Sequence, residues 1–232
     1  MTQANIIVSI SGQPKTGKSH LALSFPPPIR VFNFDIGIEP VLKKYPDKDI
    51  RVTSYPIPIV DSVKATGFGK EISKIWNQFT DDLKAASEDT EIKTIIIDTW
   101  TAVYELARIA RAAELGQENL LQFQYGDVYA RLRAMIQYPR IAGQNLVLTT
   151  YLRDRYVNEA NTGELELDGW KRTESEVDVV MWTSRVQKSA PGGKKVNKII
   201  TLIKDNRFSL EINGVELEMA NYSDIMAVLG IE

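Results

Sequence analysis

Cysteine is absent from the 232 residues, which excludes disulfides and thiolate metal sites. Histidine is nearly absent: His20 stands alone and cannot build a zinc site with its neighbours. No run of eighteen apolar residues occurs, so no segment reads as a membrane-spanning helix. No basic-apolar leader precedes the first apolar run. An excess of positive charge is also missing. The 28 Lys and Arg face 30 Asp and Glu, a net charge of −2, so nucleic-acid binding must come from a local patch. Internal repeats and low-complexity tracts are lacking. What is present, 44% hydrophobic and 25% charged residues, suits a globular chain long enough for one large α/β domain or two small ones.

The most informative segment is Gly12-Gln13-Pro14-Lys15-Thr16-Gly17-Lys18-Ser19, a complete G-x-x-x-x-G-K-[ST] phosphate-binding loop. Its glycines let the backbone curl so that N–H groups point at phosphates. Lys18 supplies a point charge near the β/γ-phosphates, and the Ser19 hydroxyl is the expected Mg²⁺ ligand. The apolar run 6–10 before it reads as a buried strand, and Ser19-His20-Leu21-Ala22-Leu23 after it reads as a helix start. Residues 12–20 are therefore the candidate nucleotide contacts. The loop lies so early that one unit spanning 1–232 is expected, without a separate N-terminal domain.

Further apolar runs at 29–34, 50–55, 92–97, 146–150 and 177–182 read as strands. Helical stripes lie between several of them. Ile72, Ile75, Trp76, Phe79 and Leu83 form one. Val103, Leu106, Ala107, Ala110 and Ala113 form another. Val128, Leu132, Met135 and Ile136 form a third, expected to stop near Pro139. Strands alternating with helices imply a mostly parallel sheet covered on both faces. The last third differs: 177–183, 196–203 and 209–217 read as strands joined at Pro191-Gly192-Gly193 and Asn213-Gly214. A helix over about 223–229, capped by Ser223 or Asn221, closes the chain.

A nucleotide site also needs a carboxylate for the magnesium shell. Lys93-Thr94-Ile95-Ile96-Ile97-Asp98 places Asp98 at the C-terminal end of a buried strand, the edge where open α/β sheets bind ligands. The alternative role for Asp98-Thr99 is capping the next helix. Because Thr99 and not glutamate follows Asp98, the acid that orients an attacking water must come from elsewhere. Asp35 and Glu39 leave the same edge after the second strand, and Glu39 is the preferred candidate.

A phosphate loop directly on strand one, an acid after strand two and an apolar strand ending Asp98-Thr99 together resemble the RecA-like ATPase core. Ile203-Lys204-Asp205-Asn206-Arg207-Phe208 resembles the Lys/Arg strand end of RecA-like and replicative-helicase ATPases, whose cations reach a neighbouring subunit's nucleotide. The length is similar to that of the small phage RecA-like ATPases that assist single-strand annealing and recombination. The resemblance implies an α/β P-loop fold, a mostly parallel central sheet flanked by helices and extended by C-terminal antiparallel hairpins. It also implies ATP and Mg²⁺, and a homo-oligomeric ring or filament with nucleotide between subunits. Lys204 and Arg207 then act in trans. Single-stranded DNA is the implied partner, with a single-strand-binding protein as a further one and no membrane. The implied location is the cytoplasm of a bacterial host, with the protein phage-encoded. Two departures stand out. Gly37 occupies a position where the family often has an acid, and Thr150 and Tyr151 stand where its phosphate sensor is often Gln or His.

In such a core, the loop after the sensor strand faces DNA. Here residues 153–173 carry Arg153, Arg155, Tyr156, Trp170, Lys171 and Arg172, but also Glu159, Glu164, Glu166 and Asp168. A solvated hairpin around Asn161-Thr162-Gly163 explains them equally well. From 179 to 204 six basic residues, among them Lys188, Lys194 and Lys195, occur without an acid. Phosphate contact is the functional reading and hairpin solubility the alternative. Two rivals to a DNA-linked ATPase remain: a small-molecule kinase of the nucleotide-kinase kind and a nucleotide-switched, non-catalytic recombination mediator.

Overall fold

The computed structural model describes residues 5–35, 37–57, 68–189 and 194–231. Six strands run parallel in the order β3 (Ile50–Ser54), β2 (Ile29–Asn33), β4 (Thr94–Asp98), β5 (Asn145–Val157), β1 (Ile7–Gly12) and β7 (Val179–Ser189). β1 and β4 are buried at every position, as continuous apolar strands covered on both faces must be. Register brings the site together. Gly12 lies opposite both Tyr151 and Thr183, while Asp98 lies opposite both Asn33 and Thr149.

Helices α3 (Phe68–Glu88), α4 (Trp100–Glu114) and α5 (Tyr125–Ala142) cover one face with the stripes read from the sequence; Ala112 is the buried alanine near the end of α4, and Ala113 only half so. Helices α1 (Lys18–Leu23), α2 (Glu39–Leu42) and α7 (Tyr222–Leu229) cover the other. Beyond β7 the sheet continues antiparallel through β8 (Lys195–Asn206) and β9 (Glu216–Glu218), and β6 (Ala160–Asp168) folds back on the end of β5. The C-terminal antiparallel extension is therefore present. Among the described residues no helix is long and apolar enough to cross a membrane.

Two local expectations change. Pro139 does not stop α5: it lies inside the last turn, and Gly143, left-handed at φ 70°, ends the helix. A proline near a helix end removes one donor, but the αL glycine supplies the stop. Residues 209–217 are not one strand. Asn206 Oδ1 accepts from the amides of Phe208 and Ser209, and Ser209 caps a 3₁₀ turn, Leu210–Ile212. These local bonds replace the ladder until the three-residue β9. Of the two expected candidates, Asn221 caps α7 by accepting from the Ser223 and Asp224 amides. The Pro191-Gly192-Gly193 turn lies outside the described residues.

Candidate nucleotide site

The loop begins where β1 passes closest to β7. A Cβ on Gly12 would stand 2.4 Å from Thr183 Oγ1 and 2.6 Å from the Thr183 carbonyl, so only glycine fits. Thr16 Oγ1 donates to the Gln13 carbonyl at 2.8 Å and lies 2.8 Å from Thr183 Oγ1, tying the loop to the sheet. Lys15 at φ 64° and Gly17 at φ 87° are left-handed, the turns that curl successive amides toward one side. Pro14 and Lys15 form the outer wall of the cavity.

That cavity, of about 640 Å³, is lined by loop residues 14–19, but not by Gly12 or Gln13, together with Asp35, Asp98 and Tyr151. At its floor Ser19 Oγ donates to Asp98 Oδ2 at 2.9 Å, and Thr149 Oγ1 donates to Oδ1. Burial pushes the Asp98 carboxyl upward, while these two hydroxyl donors pull it down. Thr99, not Asp98, caps α4, accepting from the Ala102 amide at 3.2 Å. Asp98 is thereby left to face Ser19. Lys18 Nζ donates at 3.0 Å to each of the Gly12 and Gln13 carbonyls and lies 4.4 Å from the centre of the Tyr151 ring. Burial lowers its pKa to about 8, against the pull of Asp98 and Asp35.

The Tyr151 hydroxyl donates to Asp35, and burial followed by that bond raises the phenol above its ordinary value. Asp35 therefore reaches the cavity. Glu39 is exposed in the first turn of α2 and is not part of the lining. Tyr151 belongs to the site, but Thr150 does not. Its Oγ1 is buried 2.7 Å from Ser11 Oγ, on the opposite side of β5 from Thr149 and Tyr151. Thr149 was missed from sequence. The signal was strand alternation, which puts residues 149 and 151 on one face. His20 lines the cavity beside Gly17 and is held below its usual pKa by burial and Lys44.

This donor set fits magnesium nucleotide. A hydroxyl and a carboxylate 2.9 Å apart offer oxygen donors that would suit a cation keeping waters and phosphates in its shell. Among the described residues no three His, Asp or Glu gather to hold a metal unaided. A family model described as an AAA domain matches residues 4–208. The chain belongs to this AAA-domain family. No curated protein sequence matches it. The KaiC-like protein PH0186 from Pyrococcus horikoshii OT3 aligns at TM-score 0.46 and 14% identity, over 93% of this chain and 85% of that one. An ATPase from the type III secretion system of pathogenic bacteria aligns at TM-score 0.50 and 16% identity, over 78% of this chain and 52% of that one. The chain thus spans about half of that secretion ATPase, and the likeness is one of fold alone, that of a RecA-like P-loop core.

The basic residues distribute unevenly. Arg153 pairs with Glu166 at 3.1 Å and Asp168 at 3.5 Å, and Arg155 pairs with Glu164 at 2.6 Å, across the β5–β6 hairpin. Both arginines expected to meet DNA are neutralised there by cross-strand acids. Lys188 and Lys198 both hold Glu218 at 2.7 Å and drive its pKa down to about 2. Among the described residues Arg185, Lys194 and Lys195, all exposed, form no ion pair. Lys204 pairs with Glu174 of α6 (Thr173–Glu176) at 2.9 Å and lies 3.9 Å from the centre of the Trp182 ring. Arg207 donates to the Ser175 carbonyl at 2.9 Å and lies 3.6 Å from Asp178. Because β8 runs antiparallel to β7, Arg207 lies at the sheet edge opposite its own phosphate loop.

Proposed function

We propose that the chain is a magnesium-dependent ATP hydrolase acting with single-stranded DNA in bacterial or phage recombination or annealing, assembled as a homo-oligomer. The observation that carries the chemistry is the convergence of Lys18, Ser19, Asp98 and Asp35 on one cavity. Ser19 and Asp98 are the residues that would hold magnesium, which supplies charge neutralisation on the phosphate oxygens. Ser19 already donates its hydroxyl hydrogen bond to Asp98, leaving its lone pairs for a cation. Lys18 is held on two neutral carbonyls, weaker partners than phosphate oxygens, so it can transfer to developing negative charge. Asp35, steadied by Tyr151, orients the attacking water and accepts its proton, the role left open by Thr99. It replaces Glu39 as the preferred acid, because Glu39 lies outside the cavity lining.

Support for the DNA reading comes from Arg185 on β7, Lys195 on β8 and Lys194 just before it, all exposed, while β7 pairs directly with β1. Support for assembly comes from Arg207, which can meet only a neighbour's nucleotide, and from exposed Phe208 and Leu210 beside it. The test is phosphate release with and without single-stranded DNA over a range of protein concentrations. Turnover should need magnesium, rise with DNA, and rise per molecule with concentration. Phosphate transfer to a nucleoside monophosphate instead of water would identify a kinase. Tight ATP-dependent assembly with negligible turnover would identify a switched scaffold.

A further inference from the structure

Beyond the phosphate loop, the cleft continues into an annex of about 220 Å³. Gly17, His20, Lys44, Ile199 and Met219 line both spaces, so the two form one trough. One wall is the face of α1 on which Gly17, His20, Leu21 and Ser24 recur at helical spacing. Tyr45, just after α2, closes one end. The opposite wall is Ile199 of β8 and Met219, which follows β9. This wall belongs to the antiparallel extension and not to the parallel strands that carry the phosphate loop.

The walls are held in place before any ligand arrives. The Tyr45 hydroxyl donates to the His20 carbonyl at 2.9 Å, and Lys48 Nζ lies 5.2 Å from the centre of the Tyr45 ring. Lys48 also donates to the carbonyls of Leu23, Ser24 and Phe25, which locks that ring against the end of α1. Met219 has a left-handed backbone at φ 52°, rare for a residue with a side chain, and its amide donates to the Ile199 carbonyl at 2.9 Å. Its side chain is left 59% exposed at the rim of the trough. A thioether and a branched aliphatic chain facing aromatic rings suit a flat heteroaromatic ligand. The annex lining among the described residues contains no carboxylate. Asn221 Oδ1 there is already taken by the Ser223 and Asp224 amides. A guanine edge presents adjacent N1–H and N2–H donors that a carboxylate would accept together, and this lining offers none; adenine presents only its N6 amino group, which a single hydroxyl or carbonyl satisfies.

We infer that Met219, Ile199, Tyr45 and His20 form the nucleobase clamp of this site and accept adenine in preference to guanine. The inference rests on the ATPase reading above. Calorimetry with magnesium separates the two ideas, using adenylyl-imidodiphosphate, guanylyl-imidodiphosphate and inorganic tripolyphosphate as probes. The wild type should bind the adenine analogue more tightly than the guanine analogue or tripolyphosphate. Met219→Ala should weaken the adenine analogue about tenfold and leave tripolyphosphate unchanged, while Met219→Leu should retain most of the affinity. Ile199→Ala, on the same wall, should repeat the alanine result. Equal weakening of the adenine analogue and tripolyphosphate, or no weakening of either, overturns the clamp while the phosphate site stands. Failure of the wild type to bind any of the three overturns the ATPase reading and the clamp with it.

Discussion

Lys18 is a buried cation whose two bonds, to the carbonyls of Gly12 and Gln13, hold it on its own loop. Removing it leaves neutral carbonyls that face a hydrated cavity, so folding should survive. Lys18→Ala is expected to keep its circular dichroism spectrum and lose phosphate release by about 10²–10³-fold, as when a transition-state donor is removed. Near-normal turnover in a folded variant would return the loop to a structural turn. The two acids part more sharply. Asp35→Asn should slow turnover by about 10²–10⁴-fold with nucleotide affinity kept, whereas Glu39→Gln, at an exposed position, should be nearly silent. The opposite pattern in steady-state kinetics would restore Glu39. Lys18, Ser19 and Asp98 were legible because their chemistry is written in contiguous residues. The choice between Asp35 and Glu39 was not, because it depends on how the chain turns after β2. Thr149 escaped because its role depends on the register of β5 against β4.

At the scale of elements, the two hairpins that carry basic residues differ in how their charge is used. β5–β6 sets Arg153 directly across from Glu166 in register, and Arg155, at the register shift, reaches Glu164, so each cation is matched within its own hairpin. β7–β8 has no acid on either strand before Asp205, and its balance comes from other elements: Glu218 on β9 holds Lys188 and Lys198, and Glu174 on α6 holds Lys204. Replacing Arg185, Lys194 and Lys195 together with glutamine should therefore weaken single-stranded DNA binding and flatten its salt slope by about 2, at about 0.7 per lost phosphate contact. Replacing Arg153 and Arg155 should change neither. A titration across salt concentrations in which the arginine pair matters and the triple does not would exchange the two hairpins. The parallel strands and amphipathic helices were readable because buried periodicity is local information. The Leu210–Ile212 turn was not, since it follows from the side-chain bonds of Asn206 and not from hydrophobic pattern.

For the whole molecule, the decisive fact is that the sheet has two edges with different chemistry. One carries the phosphate loop, Asp98 and Asp35; the other carries Arg207 beside exposed Phe208 and Leu210. Within one chain these groups cannot meet, because β8 delivers Arg207 to the N-terminal end of β7 while Gly12 pairs with Thr183, midway along that strand. The proposed head-to-tail assembly would lay one edge against the other and make heterologous contacts that close into a ring or extend as a filament. Arg207 must then leave Ser175 and Asp178, both on the same chain, for the phosphoryl group of its neighbour. Trans-acting arginines of this kind contribute about 10³–10⁵ in rate. Arg207→Ala is accordingly expected to be nearly inactive although its own phosphate loop is intact, and Lys18→Ala inactive although its arginine is intact. Mixing the two should restore activity, because some interfaces then combine an intact loop with an intact arginine. Size-exclusion chromatography of differently tagged variants shows whether mixed oligomers form. If they form and the mixture stays inactive, Arg207 serves only to tie β8 to α6, and the active site is complete within one chain.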